Sequence, residues 1–323
     1  MSDRPLLVLT APGDGEIPFL SELRHAATIV VGDSAQDFAG ATDDAEIIFN
    51  WSGSLAFLRD VFLMSHRLRW IHSRSAGLEQ MLFPELVESD VVLTNGSGVF
   101  SPSLGEFVLA AILFFAKDLR RMIRNQAAGV WEQFDITMAS GQTVGIVGYG
   151  SIGRAIATRA HALEMKALAL RRQVPPHSRE DPLIEQVYGP EGLREMLPSC
   201  DYVVVTLPLT EQTRGLIAAA EFAVMKKNAV LINVGRGPTI DEPALIKALS
   251  ENRIRGAALD VFDQEPLPQG HPFYSMKNVL LSPHCADHTP DWLDNASRFF
   301  LSQLERFQNG QRLLNVVDKE LGY

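Results

Sequence analysis

The sequence predicts an α/β fold in which one domain is inserted into another, and three observations predict it. Short apolar, β-branched runs alternate with helical segments along the chain, the pattern of parallel sheets covered by helices. A strand, a glycine-rich turn and a helix follow one another mid-chain, as TVGIV (Thr143 to Val147), Gly148-Tyr149-Gly150-Ser151-Ile152-Gly153 and Arg154 to Leu163. A second long helical segment follows the last strand, which returns the chain to the domain it left. At roughly 150 residues per domain, 323 residues make about two.

In the first domain, PLLVLT (Pro5 to Thr10) reads as a buried strand and Phe19 to Ala27 as a helix. Thr28 to Val31 is a second strand, and EIIFNW (Glu46 to Trp51) a third that ends in the loop Trp51-Ser52-Gly53-Ser54. Leu68 to Ser73 leads into the turn Arg74-Ser75-Ala76-Gly77, and Asp90 to Thr94 closes the set. The loop Asn95 to Pro102 precedes one long helix, Ser103 to Arg124, a natural connector between two α/β units.

The glycine-rich turn explains the second domain. A G-x-G-x-x-G between strand and helix is a dinucleotide-binding fingerprint. Gly148 makes the tight turn, Gly150 lets the backbone approach a pyrophosphate, and Gly153 lets the helix pack on the strand. The helix start then offers unpaired N–H groups and a positive dipole to phosphate. Lys166 to Leu170, Asp201 to Leu207, Ala229 to Val234, Gly256 to Val261 and Val279 to Leu281 follow as strands, giving six in all. From His288, itself read as a helix-start residue, the chain is helical again.

Composition narrows the function. With 46% apolar and 21% charged residues the chain is an ordinary globular protein, and a net charge of −10 lacks the basic face of a nucleic-acid binder. Two cysteines, Cys200 and Cys285, cannot make a disulfide framework. No apolar run approaches the roughly 20 residues of a membrane span. The N-terminus reaches acid and proline too early for a signal peptide, so a cytoplasmic chain is expected, with no membrane or metal partner.

In an open α/β sheet, ligands bind beyond the carboxyl ends of the strands. Three ionisable residues fall there: Arg236 after the fourth strand, Glu265 after the fifth and His284 after the sixth. Alone, each has an ordinary explanation as a solvated loop charge, a turn cap or a core histidine. Their arrival together beside a nucleotide fingerprint points to chemistry.

The segments SAG (Ser75 to Gly77), NGSGVFSPSLGE (Asn95 to Glu106), VGYGSIG, INVGRGP, ALDVFDQEPLP and SPHCA resemble, in order, those of the D-isomer-specific 2-hydroxyacid dehydrogenase family. That resemblance implies a Rossmann-type dinucleotide domain (101–287) inserted into a discontinuous, smaller, flavodoxin-like α/β substrate domain (1–100, with a return helix and tail at 288–323), the ligand cleft lying between them. It implies a catalytic set of Arg236, Glu265 and His284, and backbone N–H groups of Ala76 and Gly77 holding the substrate carboxylate. It further implies cofactor contacts from Gly148, Gly150, Ser151, Ile152, Gly153, Leu207, Pro208, Val234, Asp260 and Ala286, with Asp260 on the nicotinamide carboxamide. Relatives are usually homodimers, and Ser103 to Trp131 is the segment expected to make that contact.

The chemistry is consistent with these side chains. Reducing a 2-oxo acid needs a hydride donor, a proton donor at the keto oxygen and a cation for the carboxylate. His284 supplies the proton; Glu265 favours its imidazolium form and orients it. Arg236 presents a planar fork to carboxylate and keto oxygens. Relatives that use NAD end the second Rossmann strand with an acid, whereas here Leu170 is followed by Arg171-Arg172-Gln173. Two guanidinium groups suit a 2′-phosphate, so NADP(H) is expected to be preferred with NAD(H) possible, unless the pair merely caps the strand in solvent. A second departure, Cys285-Ala286-Asp287-His288, leaves the packing after His284 open. His72 and Arg74, on the edge of the substrate turn, are ambiguous; Arg74 either adds charge to the substrate pocket or faces solvent, and solvent is expected.

Trp51 in the NWSGS loop could wall off a small pocket, which favours glyoxylate or hydroxypyruvate, as in NADP-linked glyoxylate/hydroxypyruvate reductases. D-lactate-like, bulky or phosphoglycerate substrates are the enzymatic alternatives. A cofactor-sensing, corepressor-like scaffold is the non-enzymatic one.

Overall fold

The computed structural model describes residues 4–14, 17, 20–78, 81–173 and 181–322; Phe19, where the first helix was expected to begin, and Tyr323 lie outside them. The chain divides into two compact units, Met1–Phe100 with Thr289–Tyr323, and Ser101–His288. Among the described residues, no helix is long and apolar enough to cross a membrane.

The first unit is built on strands β1 (Leu6–Leu9), β2 (Ile29–Gly32), β3 (Ile47–Asn50), β4 (Trp70–Ser73) and β5 (Val92–Thr94). They pair in parallel in the order β2-β1-β3-β4-β5, the flavodoxin-like arrangement. Helices α1 (Leu20–Ala26), α2 (Leu55–Met64) and α3 (Pro84–Val87) alternate with these strands. Successive side chains of a strand point to opposite faces, and both faces are apolar. Leu7, Leu9, Ile48 and Ile71 join Leu58 and Val61 of α2 on one face; Leu6, Val8, Phe49 and Trp70 meet Phe300 and Leu304 on the other.

His72 belongs to that aromatic layer. Its ring lies 5.8 Å from Phe49 and 5.4 Å from Phe300, and its Nδ1 is 2.7 Å from Thr94 Oγ1. Burial pushes its pKa down to about 3, so the ring is neutral and structural.

The second unit begins with α4 (Ser101–Ala116) and α5 (Leu119–Ala127), where one long helix was expected. The break is Asp118, in the left-handed region at φ 47°, a conformation Asp tolerates better than most residues. Leu104, Val108, Ile112 and Phe115 of α4 are buried, whereas α5 buries nothing, so the helix turns where its apolar face ends.

Strands β6 (Thr143–Val147), β7 (Lys166–Leu170), β8 (Gln186–Tyr188), β9 (Tyr202–Val205), β10 (Val230–Asn233), β11 (Gly256–Leu259) and β12 (Val279–Leu281) form a wholly parallel sheet in the order β12-β11-β10-β9-β6-β7-β8. Seven strands replace the six expected. The extra one, β8, is a three-residue, partly exposed edge strand with no apolar periodicity to announce it. The sequence 3-2-1-4-5-6 within the sheet is doubly wound, with its switch point between β6 and β9. Helices α6 (Ser151–Ala162), α7 (Leu193–Met196), α8 (Ala219–Val224) and α9 (Glu242–Ser250) complete this unit. The last helix, α10 (Trp292–Gln308), belongs to the first unit and supplies its Phe300 and Leu304. It starts four residues beyond His288, which instead lies in a turn closed by its own N–H to the Cys285 carbonyl, 3.0 Å.

Candidate active site

Three adjacent parallel strands deliver the ionisable residues to one edge of the second sheet: Arg236 follows β10, Glu265 follows β11 and His284 follows β12. The loops that carry them are pressed together. A Cβ on Gly237 would come 2.0 Å from the Phe262 carbonyl carbon, so only glycine lets the Arg236 loop lie against the chain leading to Glu265. The Arg236 carbonyl accepts from Asn233 Nδ2 (3.0 Å) and Thr239 Oγ1 (2.6 Å), fixing the backbone beneath the guanidinium.

His284 and Glu265 are in direct contact. The Nδ1–H of His284 donates to Glu265 Oε2 at 2.6 Å, and Glu265 Oε1 accepts from the Phe262 N–H at 2.9 Å. A carboxylate anchored at one oxygen thus sets the ring's tautomer at the other, leaving Nε2 outside that bond. The pair remains accessible, the His284 and Glu265 side chains being 47% and 34% exposed.

His284 sits at φ 51°, an uncommon conformation that persists only where its surroundings dictate it. Asp260 does so. Its carbonyl accepts from the His284 N–H at 2.9 Å, and its Oδ1 accepts from Ser282 Oγ (2.5 Å), Cys285 N–H (3.0 Å) and Ala286 N–H (3.1 Å). Burial raises the Asp260 pKa against the pull of those bonds. The Ala286 carbonyl accepts from Ser103 Oγ at 2.7 Å, so the segment after the histidine is firmly braced.

Sequence reasoning missed a second support. Glu242, at the start of α9, lies 3.0 Å from His271 Nε2, while His271 Nδ1 accepts from the Phe273 N–H at 3.4 Å. This holds the far end of the loop that carries Glu265; a glutamate in a helix's first turn and a lone histidine before proline were its only signals. An apolar cavity of about 650 Å³ opens beside Glu265 and His284, walled by Phe262, Pro266, Leu267 and Leu281. Arg236 does not line it.

The fingerprint region fits a dinucleotide. Gly148 turns at φ 108°, and Gly150 stands at the N-terminal cap of α6, where glycine brings no side chain of its own to the helix start. A Cβ built on Gly150 meets nothing within 4 Å, so open space lies above the backbone where a pyrophosphate would approach. Thr206 Oγ1 donates to the Gly148 carbonyl at 2.5 Å, joining this turn to the end of β9 and so to Leu207 and Pro208. Val234 is buried, its N–H bonded to the Val205 carbonyl at 3.1 Å.

Arg171 and Arg172 follow β7 directly; the Arg171 guanidinium lies 5.9 Å from the Tyr149 ring and Arg172 is exposed. The strand end has no acid next to it in sequence, yet the fold brings Asp181 near the fingerprint. Its Oδ2 accepts from Tyr149 Oη (2.9 Å) and Arg154 Nη1 (2.7 Å), neighbours that already engage it. Among the described residues, no group of three or more His, Cys, Asp or Glu is placed to hold a metal.

In the first unit, Trp51, Arg74, Ala76 and Gly77 lie at or just beyond the carboxyl ends of β3 and β4. Asn95 Nδ2 donates to the Ala76 carbonyl at 2.8 Å, and the Gly96 N–H to the Ser75 carbonyl at 3.1 Å, bracing the turn. Trp51 is buried edge-on against Phe49. Arg74 does not face solvent as expected. It is half-buried, its guanidinium 4.6 Å from the Trp51 ring and 5.6 Å from that of Trp292.

Known proteins resemble this chain over most of its length. The family model described as D-isomer specific 2-hydroxyacid dehydrogenase, NAD binding domain, matches residues 109–286. A glyoxylate/hydroxypyruvate reductase B from Enterobacter sp. (strain 638) is 35% identical over 259 residues, 78% of this chain and 78% of that protein. A D-3-phosphoglycerate dehydrogenase from Methanocaldococcus jannaschii is 29% identical over 97% of this chain, which spans only 59% of that relative's length. The crystal structure of a D-isomer specific 2-hydroxyacid dehydrogenase from Xanthobacter autotrophicus Py2, in complex with NADPH and MES, matches with a TM-score of 0.85 at 29% identity over the whole of both chains. A doubly wound sheet with the dinucleotide fingerprint, the strand-edge Arg, Glu and His, and a family match over more than half the chain have one reading: this protein belongs to the D-isomer specific 2-hydroxyacid dehydrogenase family of oxidoreductases.

Proposed function

We propose that the protein reduces a small 2-oxo acid, glyoxylate or hydroxypyruvate, to the D-2-hydroxy acid with NADPH. The observation that carries this reading is the 2.6 Å His284–Glu265 pair, set on the same sheet edge as Arg236 and beside a fingerprint turn. Bound NADPH supplies the hydride. His284 gives its Nε2 proton to the keto oxygen while its Nδ1–H stays hydrogen-bonded to Glu265, which holds the ring in orientation for the transfer. Arg236 holds the carboxylate and keto oxygens, and the Ala76 and Gly77 N–H groups take the remaining carboxylate charge. In the oxidative direction His284 accepts the proton. The reductase from Enterobacter supports the substrate class, and the NADPH-bound Xanthobacter structure the cofactor.

Ser151, Ile152 and Gly153 would present the pyrophosphate with the α6 N-terminus, and Leu207, Pro208, Val234, Asp260 and Ala286 would line the nicotinamide side. Arg171 and Arg172 would meet the 2′-phosphate. Exchanging them for Asp and Ser should lower kcat/KM for NADPH by about tenfold or more relative to NADH, the loss of one or two charge-assisted hydrogen bonds. An unchanged cofactor ratio would refute the 2′-phosphate role. The product is the test of the reaction: NADPH and hydroxypyruvate should yield D-glycerate, and the L-isomer would contradict the assignment.

We also propose a homodimer formed across α5 and the segment after it, where Ile123, Val130, Trp131 and Met138 are exposed, Trp131 by 95%. Light scattering should then give twice the mass of one chain; a single-chain mass at every concentration would contradict it.

A further inference from the structure

Arg74 occupies an unusual setting at the carboxyl edge of the first sheet. Its guanidinium lies close to two indoles, Trp51 at 4.6 Å and Trp292 at 5.6 Å, cation–π contacts that suit a planar cation. Its Nε is buried with no hydrogen-bond partner. Burial lowers its pKa, opposed only by the charge of Asp14. Buried polar groups are normally satisfied, and one that is not calls for an explanation.

A buried Nε cannot itself meet a bound acid, but ring contacts on a guanidinium leave its terminal N–H groups able to donate at the edge. The acceptor's place follows from the chain. Arg74 immediately precedes the Ser75–Gly77 turn, and its own N–H is bonded to the Asn50 carbonyl at 3.3 Å. The turn is braced by Asn95 and Gly96, so cation and turn keep a fixed relation.

We propose that Arg74 is a specificity residue that donates to an oxygen on carbon 3 of the 2-oxo acid, so that hydroxypyruvate is preferred over acids lacking that oxygen. This rests on the reading above, in which Ala76 and Gly77 hold carbon 1. Contacts with Trp51 and Trp292 restrain the cation, which keeps the entropy lost on binding small.

The test compares hydroxypyruvate with glyoxylate in wild type, Arg74→Met and Arg74→Lys. Met keeps a long apolar stem beside the indoles and removes every donor. Arg74→Met should lower kcat/KM for hydroxypyruvate by about tenfold or more, mainly through KM, as loss of a charged hydrogen bond implies. Glyoxylate, which has no carbon 3, should lose far less than hydroxypyruvate does. Arg74→Lys, which keeps the charge without the fork, should fall between, and it carries the comparison if the Met variant does not fold. Parallel losses on both acids, or no loss on either, would overturn the proposal while leaving the reductase reading intact. A wild-type protein that reduces neither acid would overturn both.

Discussion

His284→Ala should lower kcat on 2-oxo acids by about 10²- to 10⁴-fold, the usual contribution of a positioned general acid, while NADPH still binds. The site explains why the loss falls on turnover. The His284 side chain touches Glu265, whereas the fingerprint turn at β6 is held by its own glycines and Thr206. Alanine at φ 51° would itself be strained by about 1–2 kcal/mol. His284→Asn separates the two effects, because asparagine accepts the left-handed conformation and cannot supply the proton. Both variants should lose turnover alike. Near-normal rates in the Asn variant would show that the proton comes from elsewhere.

Arg236→Ala should cost about two to three orders of magnitude in kcat/KM for any 2-oxo acid, as removal of one partner from a desolvated, hydrogen-bonded charge pair does. Its backbone would stay in place, since Asn233 and Thr239 bind the carbonyl rather than the side chain. Arg236→Lys should recover only part of the loss, because a point charge cannot serve carboxylate and keto oxygens together as a fork does. Normal saturation by substrate in the alanine variant would remove Arg236 from recognition.

Much of this was legible in the sequence because it depends on local order along the chain. Arg236, Glu265 and His284 each follow a recognisable strand, and parallel pairing places consecutive strand ends on one edge. Strands β1, β3 and β4 of the first unit announce themselves by apolar runs that are buried on both faces. What stayed hidden depends on partners distant in sequence. His72 is one residue from a strand end, yet Thr94 and the Phe300 ring make it core. Arg74 looks like a solvent-facing charge until Trp292, more than two hundred residues later, is found beside its guanidinium. The Glu242–His271 brace joins two unremarkable positions, and the helix break at Asp118 becomes clear only once α4 is seen to end its buried face there. Strand β8 has three residues and little burial, too short for any pattern to register.

The most direct test of the central claim is the initial rate of NADPH and of NADH oxidation with glyoxylate, hydroxypyruvate, pyruvate and phenylpyruvate. The account predicts rapid NADPH loss with the two small polar acids and slower loss with NADH. Turnover of phenylpyruvate alone would keep the His284 mechanism and contradict the substrate. Binding of NADPH with no turnover of any acid would contradict the reductase itself and favour a cofactor-sensing role.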